Sequence, residues 1–165
     1  MTRPALLKIF FFWVLFVFLH YAYDWFGHPA LSVISQTRET FLQHAKIGLF
    51  AYAIVSGGEL WLRKLLIGRY IWSRVLSTLL LPWVMFVLYY TGPAFYGRPM
   101  PTIPAEIAYA NIVLLAVAAM LALLERSMDL AAFTRPARAA TVLLLILAVA
   151  EMVIFSYRLP WAPFF

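Results

Sequence analysis

Six ionisable side chains pose the chemical question in this sequence: His20, Asp24, Glu39, His44, Lys46 and Glu151. His20 and Asp24 stand four residues apart, so an α-helix places them on one face. Glu39, His44 and Lys46 fall within residues 35–46, the most polar run of an otherwise apolar chain. Imidazole and carboxylate together suit zinc, iron or manganese, and His20, Asp24, His44 and Glu151 could supply such a set. The spacing weakens that reading. Glu39 and His44 are five apart, about 140° around an ideal helix, so both reach one ion only if the helix begins after Glu39. No His-Glu-x-x-His or Glu-x-x-His signature is present. The plainer reading is an ion-pair and hydrogen-bond network, such as His20 with Glu39 or Lys46 with Asp24, joining two helices. His20 and His44 could also ligate a haem or pigment axially, or face a quinone, but no spacing selects that chemistry.

The remaining polar residues read more simply. Glu59 lies fifteen residues after His44, about 22 Å along a helix, too far to share its site. Arg63, one turn on, is its expected partner in a cytoplasmic ion pair. Glu125, Arg126 and Asp129 read as a solvated helix end, Glu106 and Asn111 as the start of a helix, and His28 before Pro29 as a solvated loop residue. Ser32, Ser35 and Ser56 lack a Gly-x-Ser-x-Gly context, and there is no Gly-rich phosphate loop. With no cysteine, disulfides, thiolate metal sites and thiol redox chemistry are excluded.

The elements that must position these groups are set by the solvent. Of 165 residues, 65% are hydrophobic and 12% charged, and the mean hydropathy is +0.87. Soluble domains hold about a quarter charged residues, so lipid rather than water is the expected medium. Five apolar stretches, at about 6–26, 41–66, 71–92, 105–125 and 138–159, are each long enough to cross a hydrocarbon core of about 20 helical residues. Helices are required because backbone groups in lipid must pair within each segment, and no alternating barrel strands appear. The expected fold is therefore an all-α integral membrane bundle of five helices, forming a single domain over 1–165. The first stretch lacks a small-x-small cleavage site and ends in Tyr-Asp-Trp-Phe-Gly-His-Pro, so it reads as a retained helix rather than a secretory signal.

Charge gives the orientation. With the N-terminus inside, the cytoplasmic side collects Arg3, Lys8, Arg63, Lys64, Arg69, Arg74, Arg126, Arg135 and Arg138, against Arg38, Lys46, Arg98 and Arg158 outside. That asymmetry predicts N-inside, C-outside, and explains the net charge of +6 without nucleic acid. Tyr21, Trp25, Tyr89, Tyr90, Tyr157 and Trp161 fit an outer aromatic belt, and Trp61, Tyr70 and Trp72 an inner one. Pro93, Pro99, Pro101 and Pro104 predict a stiff, extended third connection. Ala53-x-x-x-Gly57 and Ala118-x-x-x-Ala122 are small-residue pairs that would permit close helix contact.

In combination, His20-x-x-Tyr-Asp24-Trp-x-Gly, Glu39-x-x-x-x-His44-x-Lys46 and Glu59 resemble a bacterial family of small integral membrane proteins without an established function. The similarity continues through Leu88-Tyr-Tyr-Thr-Gly92 and Glu106, covering most of the chain. That family's second motif reads Asn-Glu-Ser-x-Trp-Glu-His-x-Lys. Here Arg38 replaces its Asn, Thr40 its Ser, Leu42 its Trp and Gln43 its second Glu, which removes one carboxylate from any metal site. A porphyrin- or sterol-binding five-helix family has similar length, but its paired Trp and Pro motifs are missing.

The resemblance implies the bacterial inner membrane as the location. The expected role is a non-catalytic accessory or interaction subunit of a larger membrane complex, with the lipid bilayer and other membrane subunits as partners. The alternative is a metal-, proton- or small-ligand-binding enzyme or transporter that uses the outer His/carboxylate cluster, with a divalent metal or pigment as its cofactor.

Overall fold

The computed structural model describes residues 3–35, 40–62, 67–97, 100–129 and 133–157, and among these the regular structure is entirely helical. The helices are α1 (Arg3–Phe26), α2 (Leu31–Ile34), α3 (Phe41–Leu62), α4 (Ile67–Tyr96), α5 (Ile103–Met128) and α6 (Arg135–Tyr157). α1, the Tyr70–Tyr96 part of α4, and α5 are long and apolar enough to cross a membrane. Four long helices form a square: α1 packs on α3 and α5, and α4 packs on the same two. Neighbours run antiparallel, since Phe41 meets Tyr89 at one end of the α3–α4 pair and Glu59 meets Arg74 at the other. α6 leans on α4 from outside the square and also touches α2 and α3.

The core follows from this arrangement. Phe12, Phe16, Ile47, Leu81, Leu114 and Val117 fill the middle of the square, each nearly or fully buried. Trp13 pins α1 to α5 by donating its indole N–H to Asn111 Oδ1 at 2.8 Å. At Gly48 the side chain of Leu81 from α4 packs directly on the α3 backbone, and a Cβ there would lie 2.7 Å from Leu81 Cδ2. The small pair Ala53–Gly57 does not mark an interface. Both residues are exposed, and a Cβ at Gly57 would meet nothing within 4 Å. Ala118 does lie in the core, fully buried.

The loop after α1 turns back so that α2 packs on α1, α3 and α6. Gly27, at φ 62, ends the helix with its N–H on Tyr23 O at 2.8 Å, and α2 follows within four residues. The connection expected to be extended from Pro93 onward is instead helical at both of its ends, while Pro99 lies outside the described residues. α4 runs through Pro93 to Tyr96, and Pro104 sits in the first turn of α5 behind the Thr102 cap. A proline removes the N–H that would bond the carbonyl four residues back, here that of Tyr89. Tyr109 of α5 fills the gap. Its hydroxyl lies 2.9 Å from Tyr89 O and 2.8 Å from Leu88 O, and it accepts the Gly92 N–H at 3.1 Å. Gly92 makes the insertion possible, because a Cβ there would collide with that hydroxyl.

A candidate functional site: a closed ring of buried charges

Each helix of the square contributes one charged side chain at the same end of the bundle. Lys8 lies near the start of α1, Glu59 near the end of α3, Arg74 within about two turns of the start of α4, and Glu125 near the end of α5. Because neighbouring helices are antiparallel, starts of α1 and α4 meet ends of α3 and α5. Positive and negative charges therefore alternate around the square.

Every neighbouring pair is closed. Lys8 Nζ donates to Glu125 Oε1 and Oε2 at 2.7 and 2.6 Å and lies 3.2 Å from Glu59 Oε2. Arg74 completes the cycle, with NH2 3.5 Å from Glu59 Oε1 and Nε 3.7 Å from Glu125 Oε2. The side chains of Lys8 and Glu125 are each 4% exposed and that of Arg74 is 7% exposed. Removing such charges from water is costly unless each is paired and hydrogen-bonded, and a cycle gives every charge two opposite neighbours.

The ring is bounded on both sides. Toward the bundle centre, Lys8 Nζ sits 4.6 Å from the centroid of the buried Tyr52 ring, which packs edge-on against Phe12. Toward the bundle end, Asp129, one turn after Glu125 on the same face, accepts from Arg74 NH1. The Ser73 hydroxyl accepts from Arg74 NH1 at 2.8 Å and lies within reach of Asp129. Asp129 is the most exposed of these groups, at 18%, and gives the network its contact with the surface.

This placement corrects the reading of Glu125 and Asp129 as a solvated helix end. Both turn inward, while Arg126 and Ser127 between them are exposed. Glu59 enters the ring with Lys8 and Arg74, while its expected partner Arg63 lies outside the described residues. The packed structure fixes the register. Glu125 continues the buried stripe Leu114, Ala118, Leu121 along α5, and Lys8 begins the stripe Phe12, Phe16, Leu19 along α1.

The residues first singled out lie at the opposite end and are only partly assembled. The His20 and His44 rings are 5.1 Å apart, and His44 Nδ1 lies 2.8 Å from Thr40 O. Thr40 also caps α3, its hydroxyl accepting the Gln43 N–H at 3.3 Å, so the helix begins after residue 39. Lys46 is buried and donates to Ser32 O at 2.7 Å. Ser35 donates to Leu19 O and accepts the Tyr23 N–H at 3.0 Å. Together these contacts hold α2 against the ends of α1 and α3. Asp24 and Glu151 are exposed, and Glu39 lies outside the described residues. Among the described residues, no group of three or more His, Asp or Glu side chains is arranged to hold a metal ion. Nearby, Tyr89 donates to Glu106, joining α4 to α5. The hydroxyls of Ser32 and Ser35 both donate to backbone carbonyls, which is not the arrangement of an activated nucleophile.

The arrangement as a whole has two polar ends and an apolar middle. The ring compensates charge within itself, and the residues between it and the histidines are mostly apolar, with Ser56, Ser77 and Thr78 buried among them. No protein-family model matches the chain, and no match is found among the curated proteins or the solved structures.

Proposed function

We propose that this chain crosses a bacterial inner membrane five times, N-inside and C-outside, as a non-catalytic accessory or interaction subunit of a larger membrane assembly. α3 and α6 would add two spans to the three helices already long and apolar enough. The excess of Lys and Arg at the ring end supports placing that end in the cytoplasm. The motif resemblance to a small bacterial membrane family supports the location.

The observation that carries the functional reading is the closed ring beneath a filled apolar core. A transporter needs polar groups that continue from one face to the other. Here the ionisable groups at the two ends are separated by Phe12, Phe16, Ile47, Leu81 and Val117. The ring instead ties four helices into one body whose outer faces are apolar. Phe10, Phe11, Trp83, Val87, Leu143 and Ile146 are all exposed, offering contact area to lipid and to neighbouring subunits.

The alternative keeps one specific observation, the close approach of His20 and His44. Purification from native membranes in mild detergent separates the two readings, with particle mass, visible absorption and metal content recorded together. The accessory role expects co-migration with a larger assembly at fixed stoichiometry. A small particle carrying about one metal per chain, lost on His20→Ala or His44→Ala, would refute it.

A further inference from the structure

The carboxylates at the ring end of the molecule are Glu59, Glu125 and Asp129, and all three turn into the bundle. The outward-facing charge among the described residues at that end is therefore cationic: Arg3, Arg126, Arg135 and Arg138 are exposed. Two of these stand where α6 starts beside α4. The Arg138 guanidinium lies 5.6 Å from the centroid of the Trp72 ring, and its Nε donates to Phe133 O at 3.0 Å. The cation–π contact with the indole and one backbone bond hold the guanidinium beside Trp72 while leaving its other N–H donors for a ligand. Arg135 lies one turn earlier on the same helix. One turn and two turns further along the Arg138 face come Val142 and Ile146, both exposed.

We infer that Arg135, Arg138 and Trp72 form a binding site for the headgroup of an anionic phospholipid, with its acyl chains lying along Val142 and Ile146. The order along α6, two arginines and then exposed hydrocarbon, matches the polarity profile of a diacyl phosphate ester. Guanidinium groups take phosphate oxygens in paired hydrogen bonds, and no carboxylate among the described residues is exposed at this end to compete for them. The site rests on the reading of this end as the cytoplasmic interface, where anionic lipids attract basic side chains.

The test is native mass spectrometry of the full chain released from nanodiscs of phosphatidylcholine with a minority of phosphatidylglycerol. The site predicts preferential retention of phosphatidylglycerol, reduced about fivefold by Arg138→Gln or Arg135→Gln and unchanged by Arg126→Gln. Arg126 serves as the control because it lies at the same end on α5, a helix that does not pack against α6. Equal retention of both lipids would overturn the inference. So would an equal loss with Arg126→Gln, which would indicate a diffuse basic collar. Displacement by free glycerol phosphate would assign the site to soluble phosphate and overturn the lipid assignment. Failure of the chain to insert into the discs at all would overturn the five-span reading and the lipid site together, and is distinguished by the absence of protein in the disc fraction. Circular dichroism of each variant confirms that the helices are retained.

Discussion

Lys8 and Glu125 illustrate how a membrane bundle tolerates ionised groups. Each would be prohibitively costly alone in an apolar interior, and each is compensated by two opposite charges. Removing one partner leaves the other with a single opposite neighbour at a longer distance. Glu125→Ala is expected to destabilise the bundle by about 3–5 kcal/mol in a detergent unfolding titration. Lys8→Ala should cost a similar amount. The double replacement Lys8→Met with Glu125→Leu should cost much less than the sum, since it removes both charges and fills their volume. Additive losses would show that the two side chains do not act as a pair. The sequence concealed this pair for a physical reason. In an amphipathic soluble helix a polar residue marks the outside, but α1 is apolar on every side, so nothing in its pattern reveals which way Lys8 faces. Glu125 lies near a helix end, where a carboxylate usually meets water.

At the scale of the element, α4 shows how a neighbour decides where a helix stops. Pro93 alone argues for an end, and the sequence reading placed one at residue 92. The Tyr109 hydroxyl overrides it by reaching the Tyr89 carbonyl that the proline leaves open. Tyr109→Phe should therefore cost about 1–3 kcal/mol, because it leaves the partly buried Tyr89 carbonyl unpaired, and should increase hydrogen exchange in residues 92–96. An unchanged exchange profile would show that α4 continues through Pro93 without help. The glycines of α3 provide a paired test. Gly48→Ala meets Leu81 and should lower thermal stability, whereas Gly57→Ala enters open space and should raise it by about 0.4–1 kcal/mol. The opposite ranking would place the helix crossing elsewhere. Long hydrophobic runs made the main helices legible, to within a few residues at most ends. The contact of Gly48 rather than Gly57 was not, because a small-x-x-x-small pair states only that close approach is permitted.

For the whole molecule, the absence of cysteine makes topology directly measurable. His28 and Arg126 are both exposed and lie at opposite ends of the bundle. With single cysteines at each position, a membrane-impermeant maleimide should label position 28 in intact spheroplasts and position 126 only after permeabilisation. The reverse pattern would invert the proposed orientation, and labelling of both from one side would exclude an odd number of spans between positions 28 and 126. The all-helical class, and three helices long and apolar enough to cross a membrane, were thus open to a reading of composition and length. The site was not, because it depends on which faces of four all-apolar helices meet, and that is a property of packing rather than of pattern.

The ring also imposes an order on biosynthesis. Its closing contact joins residues 117 positions apart in the chain, so it cannot form until α5 has been made. A nascent chain that has delivered only α1, α3 and α4 holds two ring cations against a single ring carboxylate, an imbalance the lipid phase penalises. Truncated or stalled products therefore carry an exposed charge defect that the finished chain does not. Full-length synthesis is the step that neutralises it, and any membrane protease that recognises unpaired charge within a span would have a built-in means of telling incomplete copies from complete ones.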